Sequence, residues 1–266
     1  MLDYINPDLI LEDQTDAEGK VAWRSPSNIA LIKYWGKHGV QLPSNPSISF
    51  TLENAFTETL IQYAPKTSVT EGIALDFFFE GEANEAFEKK IHDYLESLLP
   101  VFPFLNQLSL KINSANSFPH SAGIASSASS MSALALCLCT IEDNLFETLS
   151  NDEAFNQKAS YIARLGSGSA CRSIHSTMAV WGATESVKGS SDLFAVEHSE
   201  VHEVFKNFHN DILIVSTGEK PVSSRAGHAL MNNNPYATPR FQQAKDRLSD
   251  LLKTLQTGDL EEFGQI

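Results

Sequence analysis

Cysteine is scarce in this chain: Cys137, Cys139 and Cys171 are the only three in 266 residues. An odd, sparse set makes no disulfide framework. Cys137 and Cys139 are two apart on an expected helix and point to different sides, so all three read as small buried apolar side chains. Long apolar runs are also lacking, and nothing approaches the roughly 20 residues of a membrane-spanning helix. Basic residues are few, with Lys and Arg numbering 19 against 33 Asp and Glu, for a net charge of −14. Such a surface argues against nucleic acid and against the membrane surface as partners, because both are polyanions. Residues 1–19 have neither the basic nor the apolar segment of a secretory signal. These absences predict a soluble, reduced, cytoplasmic protein. They leave room for small anionic ligands, which need only a local cluster of cations.

The length suits one large domain or two small ones. Residues 1–20 read as a loose acidic lead-in. Strand-like patterning runs from Val21 to about Tyr63, broken by a loop at 37–46; in SISFTLENAFTETLIQY, Ile48, Phe50 and Leu52 share a face. Further strands are predicted at 73–79, 108–112, 178–181 and 211–216. Helices are predicted at 84–99, 126–142, 152–165, 223–231 and 239–255, the third capped near Asn151. Strands and helices mix without strict alternation, which favours an α+β class over a doubly wound sheet.

Four segments carry chemistry. In FPHSAGIASSASSMSALALCL, residues 118–138, Gly123 and a cluster of hydroxyl residues (Ser126, Ser127, Ser129) open directly into a helix. The free N–H groups and partial positive charge of a helix start suit a phosphate, with Gly123 allowing close backbone approach; a plain helix cap fits the same residues. No Gly-Lys-Ser/Thr ending is present, so this is not a Walker A loop. In GSGSACRS, residues 166–173, Ser167, Ser169 and Arg172 suit a phosphate or carboxylate, or a turn with a surface Arg. In SPSNIALIKYWGK, residues 25–37, Lys33 and Lys37 flank Tyr34 and Trp35 as anion contacts or as snorkelling lysines. In GEKPVSSRAGH, residues 218–228, Lys220 and Arg225 bracket Ser223 and Ser224 at a helix start. If the cations of these turns converge, they form a pocket for several phosphates at once. His120, His175 and His228 show no metal-ligand spacing and read as ordinary surface or partly buried side chains.

Taken in order, NIALIKYWGK, LPSNPSISFTL, FPHSAGIASSAS, ARLGSGSACRS and the VSSR segment resemble the signature segments of the diphosphomevalonate decarboxylases, within the GHMP superfamily of small-molecule kinases. The resemblance implies a two-layer α+β fold. Residues 21–210 would form the catalytic and ATP-binding part, and residues 211–266 would begin a ferredoxin-like C-terminal part that is incomplete here. It implies ATP with Mg²⁺, mevalonate diphosphate as substrate, and a homodimer. Carried over by position, Tyr34, Lys37, Ser167, Ser169, Arg172, Ser224 and Arg225 line the substrate site. Gly123, Ser126, Ser127 and Lys220 hold the nucleotide, and Arg172 and Lys33 act in catalysis, with Arg172 orienting the substrate carboxylate. No metal ligand is legible. A phosphomevalonate decarboxylase, a mevalonate 3-kinase and a non-catalytic anion binder are the alternatives. His120-Ser121 stand where Thr-Ala is usual, and Ser176-Thr177 where Gly-Gly is common. The D-A-G-P-N-like segment that carries the family's catalytic Asp is not among these residues. The expectation is therefore that the 266-residue chain does not turn over and that the Asp lies beyond Ile266.

Overall fold

The computed structural model describes residues 4–15, 17–67, 72–119, 124–213 and 224–266. In chain order its strands and helices are β1 (Gly19–Ile32), β2 (Lys37–His38), β3 (Leu42–Pro43), β4 (Ser47–Pro65), β5 (Ala74–Phe79), β6 (Glu82–Ala83), α1 (Glu85–Ser97), β7 (Leu108–Asn116), α2 (Ser126–Phe146), α3 (Asp152–Gly166), β8 (Met178–Trp181), β9 (Ala195–His198), α4 (Ser224–Ala229), α5 (Ala237–Thr257) and α6 (Leu260–Gln265). Short 3-10 turns lie at 103–107, 168–174 and 203–205.

The 19-residue β4 organises the sheet. One edge pairs along its length with β1; the other pairs with β8 at Ser47–Phe50 and with β7 at Thr57–Pro65. β7 continues to β5 and β6, and β8 to β9, and every pairing is antiparallel except β5 with β7. Register between β1 and β4 shifts after Pro26, where the partner moves from Phe56 to Leu52. Proline has no N–H to give the ladder, which suits it to the β1 position beside this irregularity, where residues 53–55 of β4 have no partner on β1.

α1 and α3 start after short polar caps: Asn84 accepts from the Phe87 N–H at 3.0 Å and Asn151 from the Ala154 N–H at 2.9 Å. α2 is apolar on nearly every side, with Ala133 to Cys139 all buried, which marks it as the central helix of the main core. α1 and α3 pack beside it, with Leu95, Ile162 and Ala163 joining Ile61 and Ile112 of the sheet. Cys137, Cys139 and Cys171 are buried and unpaired, as expected, and burial pushes the thiols of Cys137 and Cys171 up to about 12. No helix among the described residues is long and apolar enough to cross a membrane.

A second core lies on the other face of the sheet. Period-2 alternation separates the two sides of β8: Met178 and Val180 join Ile32, Ile48 and the α5 residues Leu248, Leu251, Leu252 and Leu255, while Ala179 and Trp181 pack with Tyr34 and Cys171.

Two expectations are corrected. The acidic lead-in is held down in its described part: Leu9 is buried, and the Leu11 backbone exchanges hydrogen bonds with the Gln107 side chain at 2.8 and 2.9 Å. The predicted strand 211–216 is not formed in its described part; Asp211–Leu213 make no ladder, and Leu213 is 87% exposed. An apolar run shows a tendency to be covered without naming a strand partner. Residues 214–216 lie outside the described residues. The apolar face of α5 is covered by the core it shares with β1, β4 and β8, so this helix packs against the first part of the chain.

Candidate active site

The 3-10 turn after α3 delivers Arg172 into the protein. Its guanidinium is 2% exposed, with Nε donating to Ser49 Oγ at 2.8 Å, one terminal nitrogen to Ser47 Oγ at 2.5 Å, and the other to Asn28 Oδ1 at 3.3 Å. Ser47 and Ser49 are the positions of β4 that alternate with Ile48, so the strand offers hydroxyls to one face and an apolar side chain to the other. Asn28 is itself fixed by donating to Ser173 Oγ at 2.7 Å and to the Ser169 carbonyl at 3.2 Å. Aromatic faces complete the surroundings, with the Tyr34 and Trp181 rings 5.8 and 6.0 Å away. Arg172 makes no ion pair with any described residue. Burial therefore holds its pKa below the usual guanidinium range, the nearby thiol of Cys171 and phenol of Tyr34 working the other way. A buried cation solvated by neutral hydroxyls retains most of its attraction for an incoming anion.

Tyr34 connects this nest to an open cavity of about 460 Å³, whose walls include Lys37, Gln41, Leu165, His228 and Asn232. The Tyr34 ring stacks on His228 at 4.5 Å and 9° and meets Trp181 edge-on at 4.9 Å. Lys37 Nζ lies 5.5 Å from the same ring and donates to Gln41 Oε1 at 2.7 Å. Burial raises the Tyr34 pKa, against the pull of Arg172 and of the hydrogen bond from Ser169, so its hydroxyl stays protonated. His228 presents Nδ1 to the Trp35 carbonyl at 3.2 Å; burial first, then Lys37 and Lys33, lower its pKa. The ring is therefore neutral at pH 7, and Nδ1 carries the proton donated to that carbonyl.

The start of α2 adjoins this site. Ala125 caps the helix in a left-handed conformation at φ +54° and, as an alanine, offers no side-chain acceptor to the first N–H groups. Ser126 is half-buried and Ser127 exposed, and Ser127 Oγ lies 3.3 Å from Ser167 Oγ. Ser27 donates to the Ile124 carbonyl, and Thr57 and Ser129 share a hydrogen bond at 2.7 Å, tying the helix start to β1 and β4. Uncapped N–H groups flanked by hydroxyls fit a phosphate.

The structure thus gathers Tyr34, Lys37, Ser167, Ser169 and Arg172, with Ser126 and Ser127 alongside. Lys33 is not with them: it is exposed and lines a separate hollow of about 240 Å³ with Trp35, Arg240 and Arg247, because it alternates with Tyr34 along the chain. Ser224 and Arg225 open α4, the helix that carries His228. Gly123 and Lys220 lie outside the described residues. Asn28, Ser47 and Ser49 were missed as site residues although they stand inside the quoted motifs; polar residues on the inward face of an otherwise apolar strand were the available signal. His228 was missed as well, since one imidazole without ligand spacing carries no sequence signal. Among the described residues the only cluster with metal-ligand spacing is His92, Asp93 and Glu96, on α1.

The diphosphomevalonate decarboxylase-like N-terminal domain model matches residues 25–195, the span that holds this whole constellation except His228. The chain belongs to that family. It is 30% identical over 257 residues to the diphosphomevalonate decarboxylase mvd1 of Aspergillus fumigatus, covering 91% of this chain and 61% of that protein. The mevalonate diphosphate decarboxylase of Staphylococcus aureus superposes with a TM-score of 0.73 at 29% identity, covering 95% of this chain and 72% of that one. A solved complex of MDDEF with MVAPP, AMPPCP and magnesium gives 0.69 at 30% identity, covering 93% and 71%. The fold is therefore the mixed α/β, GHMP-kinase-like architecture of these decarboxylases. The chain spans about 61% of the length of the Aspergillus relative.

Proposed function

We propose that this chain carries the substrate and nucleotide sites of an ATP-dependent diphosphomevalonate decarboxylase, which converts mevalonate 5-diphosphate and ATP to isopentenyl diphosphate, ADP, phosphate and CO₂. The observation that supports it most is Arg172, a buried guanidinium with no described carboxylate partner, beside Tyr34 and Lys37 in a chain of net charge −14. MVAPP, AMPPCP and magnesium occupy the related MDDEF structure, which supports ATP with Mg²⁺ as the co-substrate here.

In this reading the α2 start, with Ser126 and Ser127, receives the phosphates of ATP, and Lys37, Ser167 and Ser169 orient the diphosphorylated substrate. Arg172 pairs with the substrate carboxylate, reached past Tyr34. The tertiary hydroxyl is a poor leaving group, and phosphoryl transfer from ATP makes it a good one; its departure leaves positive character that the loss of CO₂ resolves. The residues contribute position and a fixed electrostatic field, which together supply most of such a rate enhancement. The 3.3 Å contact between Ser127 Oγ and Ser167 Oγ supports this reading, since phosphoryl transfer requires the nucleotide and substrate to lie side by side.

The test is release of ADP and CO₂ by the full-length protein given ATP, Mg²⁺ and the mono- or diphosphorylated substrate. Equal amounts of both products, with the diphosphate preferred, are expected. ADP without CO₂, or preference for the monophosphate, contradicts the reading.

A further inference from the structure

Arg164 is a second buried arginine, 2% exposed, in the last turn of α3. It makes no ion pair with any described residue. Its hydrogen bonds go to two main-chain carbonyls far away in sequence: Nε to Leu193 O at 2.7 Å and a terminal nitrogen to Val40 O at 2.5 Å. The guanidinium stacks 5.1 Å from the Tyr161 ring. Burying an arginine without an ion-pair partner costs free energy, which hydrogen bonds to main-chain carbonyls offset only in part.

Val40 is the turn of the β2–β3 hairpin. That hairpin is a ladder of two residue pairs, Lys37 with Pro43 and His38 with Leu42, and the Val40 side chain is 69% exposed, so it contributes little apolar anchorage to the tip. Gln41 adopts a left-handed conformation at φ +57° and accepts the Lys37 ammonium. The hairpin lines the 460 Å³ cavity through Lys37, Gly39, Val40 and Gln41, and Leu165, next to Arg164, lines it as well. Arg164 therefore ties the hairpin tip to the end of α3 at the edge of the cavity.

We propose that Arg164 is a positioning residue: by holding the Val40 carbonyl it fixes the hairpin so that Gln41 and Lys37 face the cavity in the geometry that receives the substrate's anionic end. This rests on the reading of Lys37 as a substrate contact. Loss of the strap lets the ammonium swing away without touching the start of α2.

The test is a double-mutant cycle in the full-length protein with Arg164→Met, which keeps apolar bulk, and Lys37→Met. Arg164→Lys is the second variant, keeping the charge with fewer donors. Arg164→Met is expected to raise KM for the diphosphate substrate roughly tenfold, with kcat and the ATP KM within about threefold of the parent. Arg164→Lys falls between. The double variant is expected to be no worse than Lys37→Met alone, since residues acting through one another are not additive. Additive effects, an unchanged substrate KM, or loss of the folded state in both Arg164 variants overturns the proposal. Calorimetric binding of inorganic pyrophosphate to the parent, Arg164→Met, Lys37→Met and the double variant separates the two failures: without turnover of the diphosphate the functional reading falls, while the cycle is still read on pyrophosphate affinity.

Discussion

Gly168 shows how tightly single positions are constrained around Arg172. A Cβ at this residue would lie 2.8 Å from the edge of the Trp181 ring and 3.5 Å from the Lys37 side chain. The ring is fully buried and its indole N–H donates to the Asp192 carbonyl at 2.9 Å, so it has little room to yield. Gly168→Ala is expected to cost about 1–3 kcal/mol of stability, as overpacking of a filled core does, and to disturb Ser167 and Ser169 on either side; chemical denaturation measures it, and an unchanged midpoint contradicts the packing described. Histidines set a pH dependence at the same scale. His175, His198 and His228 each have a pKa below the ordinary 6.5, in every case chiefly because burial disfavours the imidazolium. The unfolded chain takes up these protons first, so their contribution to stability is full above pH 6.5 and is lost as the pH falls through that value toward the folded pKa values. The melting temperature is expected to hold from pH 8 to pH 7 and to decline below 6.5. His175→Gln, which keeps a donor for the Ala195 carbonyl now bonded to the ring at 3.1 Å, is expected to make the decline shallower; an identical slope in that variant contradicts the assignment. Which residues were legible beforehand follows from chemistry. Tyr34, Lys37 and Arg172 stood out as cations and aromatics in Ser- and Gly-rich turns. Asn28, Ser47 and Ser49 did not, because a serine inside a strand pattern is ordinary until a long-range partner such as Arg172 is known.

At the scale of elements, local periodicity was informative where one face is apolar and both ends carry stop signals. The helices over 84–99 and 152–165 were placed to within a few residues because Asn84 and Asn151 cap them, and β8 stands at 178–181 as expected. Failures occurred where the partner decides the outcome. α5 has the amphipathic pattern expected over 239–255, a pattern that announces an apolar face without naming what covers it. Its cover comes from β1, β4 and β8, some 60 to 220 residues earlier, which no local pattern reveals. Leu255 is fully buried there. Leu255→Ala is expected to cost about 2–5 kcal/mol, the range for emptying a filled leucine site. Denaturation followed by tryptophan fluorescence reads this: Trp35 sits near α5, with the Arg240 guanidinium 4.1 Å from its ring. A loss below roughly 0.5 kcal/mol, ordinary for a surface change, would show that α5 is not part of this core.

The whole molecule places its cations against its own net charge. An acidic surface with Arg172, Lys37 and the uncapped start of α2 directed to one region keeps polyanions off the outside while leaving a local field for them within. The five segments that identified the family in the sequence are spread from residue 28 to residue 225; three of them meet because β4 pairs with both β1 and β8, bringing Asn28, Ser47, Ser49 and Arg172 together. The central claim is that Arg172 is a buried cation reserved for the substrate's carboxylate. The most direct measurement is equilibrium binding of mevalonate diphosphate and of ATP, by titration calorimetry, to the full-length protein and to its Arg172→Gln variant. Truncating a buried charge pair costs about 2–5 kcal/mol, so substrate affinity is predicted to fall roughly thirty-fold or more while ATP affinity stays within about threefold and the variant remains folded. Equal substrate affinity in the two proteins would contradict the account.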